Sequence, residues 1–158
     1  MENNLTFEQV LERDRHLAYT NVGVSMLPLI REGRDVMIIE KCATPDLKKF
    51  DAVFFCREGV EGRGRYVLHR ILKIMPNGDF FIAGDNCCEG EVIKPYQILG
   101  VLSGINRGGK PYNLGGFGYK TYVALWCAPY NLRFVILRIK RFFKRYLRAI
   151  FYRLKIRR

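Results

Sequence analysis

Between Val36 and Ile105 the chain repeats one pattern: a short run of β-forming residues, then a cluster of turn residues. Val36-Met-Ile-Ile39, Ala52-Val-Phe-Phe55, Tyr66-Val-Leu-His-Arg-Ile-Leu-Lys-Ile74, Asp79-Phe-Phe-Ile-Ala83 and Ile98-Leu-Gly-Val-Leu-Ser-Gly-Ile105 are all of strand length and rich in branched or aromatic side chains. Asn77-Gly78 joins the third run to the fourth and is a strong hairpin signal, because both residues accept the positive φ of a tight turn. Closely spaced strands of this kind predict a mainly β domain, a folded sheet or small barrel.

The flanks read differently. Thr6-Phe-Glu-Gln9 has the form of a capping box, and Phe7, Val10, Leu11, Leu17 and Ala18 follow at roughly helical spacing. A short amphipathic helix is therefore expected from Phe7 to Leu17, with His16 as an ordinary residue near its end. Arg107-Gly-Gly-Lys-Pro111 and Leu114-Gly-Gly-Phe-Gly118 read as turns or a flexible connection. The layout is thus an N-terminal helix over residues 1–20, the β domain over 21–106, a connecting segment over 107–130 and a last helix over 131–158.

That last segment is set apart by charge. The chain of 158 residues carries a net charge of +12, yet 131–158 holds 11 of its Lys and Arg and no Asp or Glu. Ile139, Phe142, Phe143, Tyr146, Leu147, Ile150, Phe151 and Leu154 recur at three- and four-residue intervals, opposite Lys140, Arg141, Lys144, Arg145 and Arg148. One apolar and one cationic stripe on an aromatic-rich helix suit an anionic membrane surface. The competing reading packs the apolar stripe on the β domain or on a second copy. Nucleic acid is the weakest reading, since nothing adds base-reading chemistry.

Met1 to Thr20 is too charged for a cleavable signal peptide. The most apolar stretch, Thr121 to Leu137, is broken by Pro129, Asn131 and Arg133, so peripheral association from the cytoplasmic side is expected rather than a single transmembrane span. The five cysteines, Cys42, Cys56, Cys87, Cys88 and Cys127, include no C-x-x-C pair and read as free thiols of a reducing compartment. No metal or cofactor is called for.

Three segments carry chemistry. Gly23-Val-Ser-Met-Leu-Pro28 places Ser25 in a glycine-containing loop, and a serine hydroxyl needs a base before it attacks. Of the two histidines, only His69 lies in the β region, mid-strand, with Val67 and Ile71 as its same-face neighbours and Leu68 and Arg70 opposite. Those apolar neighbours are expected to keep its imidazole neutral and ready to accept a proton. Ala83-Gly-Asp-Asn86 follows a strand. Asp85 there is either a turn-capping carboxylate or the third group that supports a serine–histidine pair, with Glu89 and Glu91 as rivals for the latter role.

In order and spacing these segments resemble the signal-peptidase and LexA-type serine peptidases. Gly23-x-Ser-Met-x-Pro28 looks like the nucleophile box, Asp35-Val-Met-Ile38 the strand after it, and Lys49-Phe-Asp-Ala-Val-Phe54 the segment that follows. Tyr66-Val-Leu-His-Arg-Ile71 resembles the base box, Ala83-Gly-Asp-Asn86 the Gly-Asp-Asn box, and Gln97-Ile-Leu-Gly-Val101 the closing strand. The likeness spans about Asn21 to Ile105. A histidine before the arginine of the base box is similar to the endoplasmic-reticulum, archaeal and sporulation-type branch, where other branches carry lysine. The resemblance implies a LexA/signal-peptidase-like β fold and a serine endopeptidase that cuts leader or signal-like peptides. Ser25 would be the nucleophile and His69 the base. Asp85, or Glu89 or Glu91, would be the third member. The backbone amides of the Gly23–Ser25 turn would hold the oxyanion. Val24, Met26 and Pro28 would shape the loop and part of the groove for an extended peptide. A self-cleaving or inactive LexA-like regulatory domain, and a basic membrane- or nucleic-acid-binding module, are the alternatives.

Overall fold

The computed structural model describes residues 5–20, 22–62 and 65–156. Asn21, at the start of the expected catalytic domain, and the side chains of Phe151 and Leu154 lie outside the described residues. The chain runs through α1 (Phe7–Asp14), β1 (His16–Thr20), β2 (Asp35–Glu40), β3 (Ala52–Cys56), β4 (Tyr66–Ile74), β5 (Phe80–Ala83), β6 (Glu91–Ile93), β7 (Ile98–Arg107) and β8 (Lys110–Tyr112). It ends in α2 (Phe117–Tyr122), a π-helical turn (Val123–Cys127) and α3 (Tyr130–Ile156).

The strands form one eight-stranded antiparallel sheet in the order β1-β2-β7-β3-β4-β5-β6, with β8 paired to β7. The sheet is folded but does not close, so the barrel alternative falls away. β7 organises it. Its second half pairs with β2 along one edge, while β3 and β8 share the other. β3 and β4 are buried on both faces, which explains why Ala52-Val-Phe-Phe55 is continuously apolar rather than alternating. Phe54 and Leu68 belong to one core with Leu11, Met26 and Met37, whereas Val53, Phe55 and Ile71 belong to a second core with Ile82 and Ile93.

The N-terminal helix is shorter than its spacing suggests. The capping box forms, with Gln9 N–H donating to Thr6 Oγ1 and Thr6 N–H to Gln9 Oε1. Arg15 then turns left-handed at φ 65°, ending the helix at Asp14. Leu17 and Ala18 lie on β1 instead, in antiparallel register with Ile39 and Ile38. His16 opens that strand, exposed. Phe7 packs edge-on to Tyr19 and Tyr66, both at 4.9 Å, and so ties α1 to the sheet.

Of the two readings of the segment after Arg107, turns or a flexible connection, the structure shows the turn. Gly108 and Gly109, at φ 56° and 85°, make the tight turn that returns β8 to β7. The β domain therefore runs to Tyr112. Next, α2 and the π-helical turn bring Tyr119, Tyr122, Trp126 and Cys127 over one end of the sheet. α3 begins at Tyr130 and buries only its first turns against the domain, through Arg133 and Leu137. Ile139, Phe142, Phe143, Tyr146, Leu147 and Ile150 are exposed. Over its described residues the apolar stripe is thus not packed on the β domain. No helix among the described residues is long and apolar enough to cross a membrane.

Candidate active site

Ser25 sits in the turn between β1 and β2. Gly23 enters it at φ 109°, a backbone conformation that side-chain-bearing residues rarely adopt. Met26 is fully buried and anchors the turn in the first core. At the far end the buried Asp35 carboxylate accepts from Arg31 N–H at 3.0 Å and from Arg34 Nε at 2.6 Å, and Arg107 Nη2 donates to Leu29 O at 2.6 Å. The loop is therefore pinned from inside and from its return strand.

The Gly84-Asp85-Asn86 turn grips the same loop from above. Asn86 N–H donates to Ser25 O at 2.7 Å and Asn86 Nδ2 to Val24 O at 3.0 Å. This grip needs a glycine at 84. A Cβ there would stand 2.6 Å from Ser25 O, 2.8 Å from Cys87 Sγ and 3.1 Å from His69 Cδ2. Those contacts also show how closely the serine loop, the histidine ring and Cys87 converge. Ser25 and His69 line one cleft of about 610 Å³, walled by Phe7, Tyr19, Val24 and Phe54. Neither Met26 nor Pro28 lines it, so the expected groove role of those two falls to the aromatic residues of α1, β1 and β3.

His69 projects from β4 opposite Val53, with its ring 5.9 Å from that of Phe55. Its surroundings are less apolar than the strand pattern suggests. Nδ1 lies 3.1 Å from Glu91 Oε1, though not aligned as a hydrogen bond, and Cys87 Sγ approaches the ring at Gly84. Burial alone would lower the imidazole pKa; the Cys87 and Glu91 contacts outweigh it and raise the pKa above its ordinary value. The expectation of an imidazole kept neutral by apolar neighbours is therefore corrected. Glu91, on β6, is held in turn by Arg57, whose Nε donates at 2.9 Å and whose Nη2 bonds the other oxygen. Half-burial would raise the Glu91 carboxyl, but its contacts to His69 and Arg57 bring it down to about 2.

Asp85 stands elsewhere. Its carboxylate is fully buried and accepts from Arg70 Nε and Nη2 at 2.8 and 2.7 Å and from Tyr122 O–H at 2.8 Å, with Arg133 Nη1 at 3.5 Å. Arg70 also donates to Phe50 O at 2.7 Å and to Tyr119 Oη at 3.0 Å. Since Arg70 follows His69 on a strand, the two project from opposite faces, and Asp85 pairs with the arginine. Glu91, not Asp85, is the carboxylate at the imidazole. Glu89 is exposed and lines a neighbouring hollow of about 340 Å³ that Glu91, His69, Cys87 and Arg141 also border.

Two groups at the site were not singled out by the sequence pattern. Arg57 follows β3 in an ordinary loop. Arg141 arrives from α3, where its place in a cationic stripe hides its reach: Nη1 contacts Cys88 Sγ at 3.0 Å and Nη2 contacts Asn86 O at 3.4 Å. Among the described residues no group of three or more His, Cys, Asp or Glu is arranged to hold a metal ion. No protein-family model, curated protein or solved structure matches the chain.

Proposed function

We propose that this chain is a serine endopeptidase of the signal-peptidase type, with a LexA/signal-peptidase-like β fold. One observation carries the reading: Ser25 and His69, 44 positions apart in the sequence, border one cleft and meet at Gly84. Ser25 Oγ attacks a scissile carbonyl while His69 takes its proton. Backbone amides of the Gly23–Ser25 turn, which lines the cleft, support the developing oxyanion. His69 passes the proton to the leaving amine, and water then releases the acyl group by the same route in reverse. Glu91 orients the imidazole and favours its charged form, with Arg57 holding the carboxylate in place. An extended leader-like peptide fits an open, aromatic-walled cleft of this kind.

Hydrolysis of a leader-like peptide is expected to fall by roughly 10⁴-fold or more in both Ser25→Ala and His69→Ala, with unfolding midpoints near that of the parent. Full activity in either variant removes the assignment.

The exposed apolar stripe of α3, flanked by Lys140, Lys144, Arg145 and Arg148, supports a peripheral seat on an anionic membrane. Deleting 131–158 would also remove the buried Arg133 and Leu137, so substitution is the cleaner test. The Phe142→Ser/Phe143→Ser variant is expected to leave phosphatidylglycerol vesicles while keeping its fold. Equal vesicle binding by the two proteins contradicts the seat.

A further inference from the structure

The proposed mechanism leaves one reactive side chain at the site unused. Cys87 follows the Gly-Asp-Asn turn, its N–H donating to Gly84 O at 3.0 Å. Its sulfur lies beside the His69 ring, the group Ser25 needs as base: a Cβ at Gly84 would stand 2.8 Å from Cys87 Sγ and 3.1 Å from His69 Cδ2. Together with His69, Arg57 and Arg141 it borders both the main cleft and the adjoining hollow, which makes it reachable from solvent. His69 is more than nine-tenths buried and its Nδ1 completes no hydrogen bond within the protein. The Cys87 thiol and the Glu91 carboxylate both stand beside this ring.

The other cysteines do not approach the His69 ring; Cys56 instead accepts from Arg65 Nε at 3.4 Å. Cys88 is buried with its sulfur against Arg141, and Cys127 is buried beneath Asp85. Burial beside acidic groups pushes Cys42 above the ordinary thiol value and Cys127 up to about 12. Cys87 moves the other way. Burial opposes ionisation, but the neighbouring His69 ring, with Arg141 beyond, brings the thiol below its ordinary value. A partly exposed thiolate paired with an imidazolium is the environment in which cysteines react with peroxides.

We propose that Cys87 is an oxidisable thiol that a hydroperoxide converts to a sulfenic acid, switching the site off until a thiol reductant restores it. The effect on hydrolysis rests on the Ser25–His69 reading; the thiol chemistry does not. The thiolate sulfur attacks one peroxide oxygen, the S–O bond forms and the O–O bond breaks. The departing hydroxide or alkoxide takes the proton held on His69 and leaves as water or alcohol. Sulfur loses two electrons and the peroxide gains them. A reducing thiol then displaces water from the sulfenic acid, and a second thiol resolves the mixed disulfide to regenerate Cys87. While oxidised, the added oxygen stands in the crowded space beside Gly84 and retains the His69 ring for itself, so Ser25 has no base.

The test treats the full-length protein with hydrogen peroxide at neutral pH, traps sulfenic acid with dimedone and maps the tagged cysteine. Cys87 is expected to be tagged at least tenfold faster than Cys42, and His69→Gln is expected to remove most of that advantage. Peroxide is expected to abolish hydrolysis and dithiothreitol to restore it, whereas Cys87→Ser keeps whatever basal rate it has through the same treatment. Tagging at Cys87 no faster than at Cys42 overturns the proposal, as does peroxide inhibition that persists in Cys87→Ser. Rapid, His69-dependent tagging in a protein that hydrolyses nothing supports the thiol assignment and removes the peptidase one.

Discussion

His69 and Arg70 are neighbours on β4, yet each serves a different carboxylate on a different side of the sheet. Arg70 and Asp85 are fully buried, aligned side by side through two hydrogen bonds, and roofed by Tyr119, Tyr122 and Arg133. His69 and Glu91 touch at the edge of a hollow, and the carboxylate keeps 32 % of its side-chain surface. The first arrangement surrounds its carboxylate with donors and leaves no path for a proton to reach solvent or substrate. The second leaves an imidazole at a cleft wall with a fixed negative charge behind it. One residue of strand register thus separates a group that fixes the fold from a group that can exchange a proton.

This contrast can be broken in three places. The largest effect is expected at the closed pair. Asp85→Ala leaves Arg70 and Arg133 buried without their carboxylate, and a loss of about 3–5 kcal/mol is expected in urea denaturation. A loss below 1 kcal/mol would show that the hub is not what holds the C-terminal helices down. Gly84→Ala strikes the junction of the two regions. Its new Cβ would meet a backbone oxygen and must displace the Ser25 loop, at a cost of about 1–3 kcal/mol. Hydrolysis should fall much further than stability, and parallel losses would place Gly84 with the closed pair alone.

The smallest and sharpest change is Glu91→Gln. The proposed base acts as neutral imidazole, and its pKa is raised, so activity should rise with pH through a midpoint above 6.5. Without the Glu91 charge that midpoint should move to lower pH, with a fall in kcat of about tenfold at the plateau. An unmoved acid limb would withdraw Glu91 as the positioning residue for His69.

Much of this was legible in the sequence. The Val36, Ala52, Tyr66, Asp79 and Ile98 runs are strands because their β-forming residues are bounded by turn chemistry, and Asn77-Gly78 makes its hairpin. Ser25 and His69 stood out through scarcity and company. The strand pattern also placed His69 and Arg70 on opposite faces, but the burial of Arg70 and its pairing with Asp85 are tertiary facts that left Asp85 readable only as a turn cap or a third catalytic group. Other features depend on tertiary contacts. Leu17 and Ala18 continue a helical spacing, and only the left-handed Arg15 breaks it. β6 and β8 have three residues each, too few to show a period. The glycine pairs after β7 read equally as turns or as flexible linker, and only the fold shows that one makes a turn and the other precedes α2 with Gly116 at its N-cap. Arg57 and Arg141 resemble any surface cation until the fold brings them to Glu91 and Cys88.

Trp126 donates its indole N–H to the Asp85 carbonyl at 3.0 Å, and the chain has one tryptophan. Indole emission responds to hydrogen bonding and local polarity. The unlabelled protein therefore carries its own fluorophore against the turn that clamps the serine loop, and its spectrum can be followed through every titration, oxidation and substitution described above.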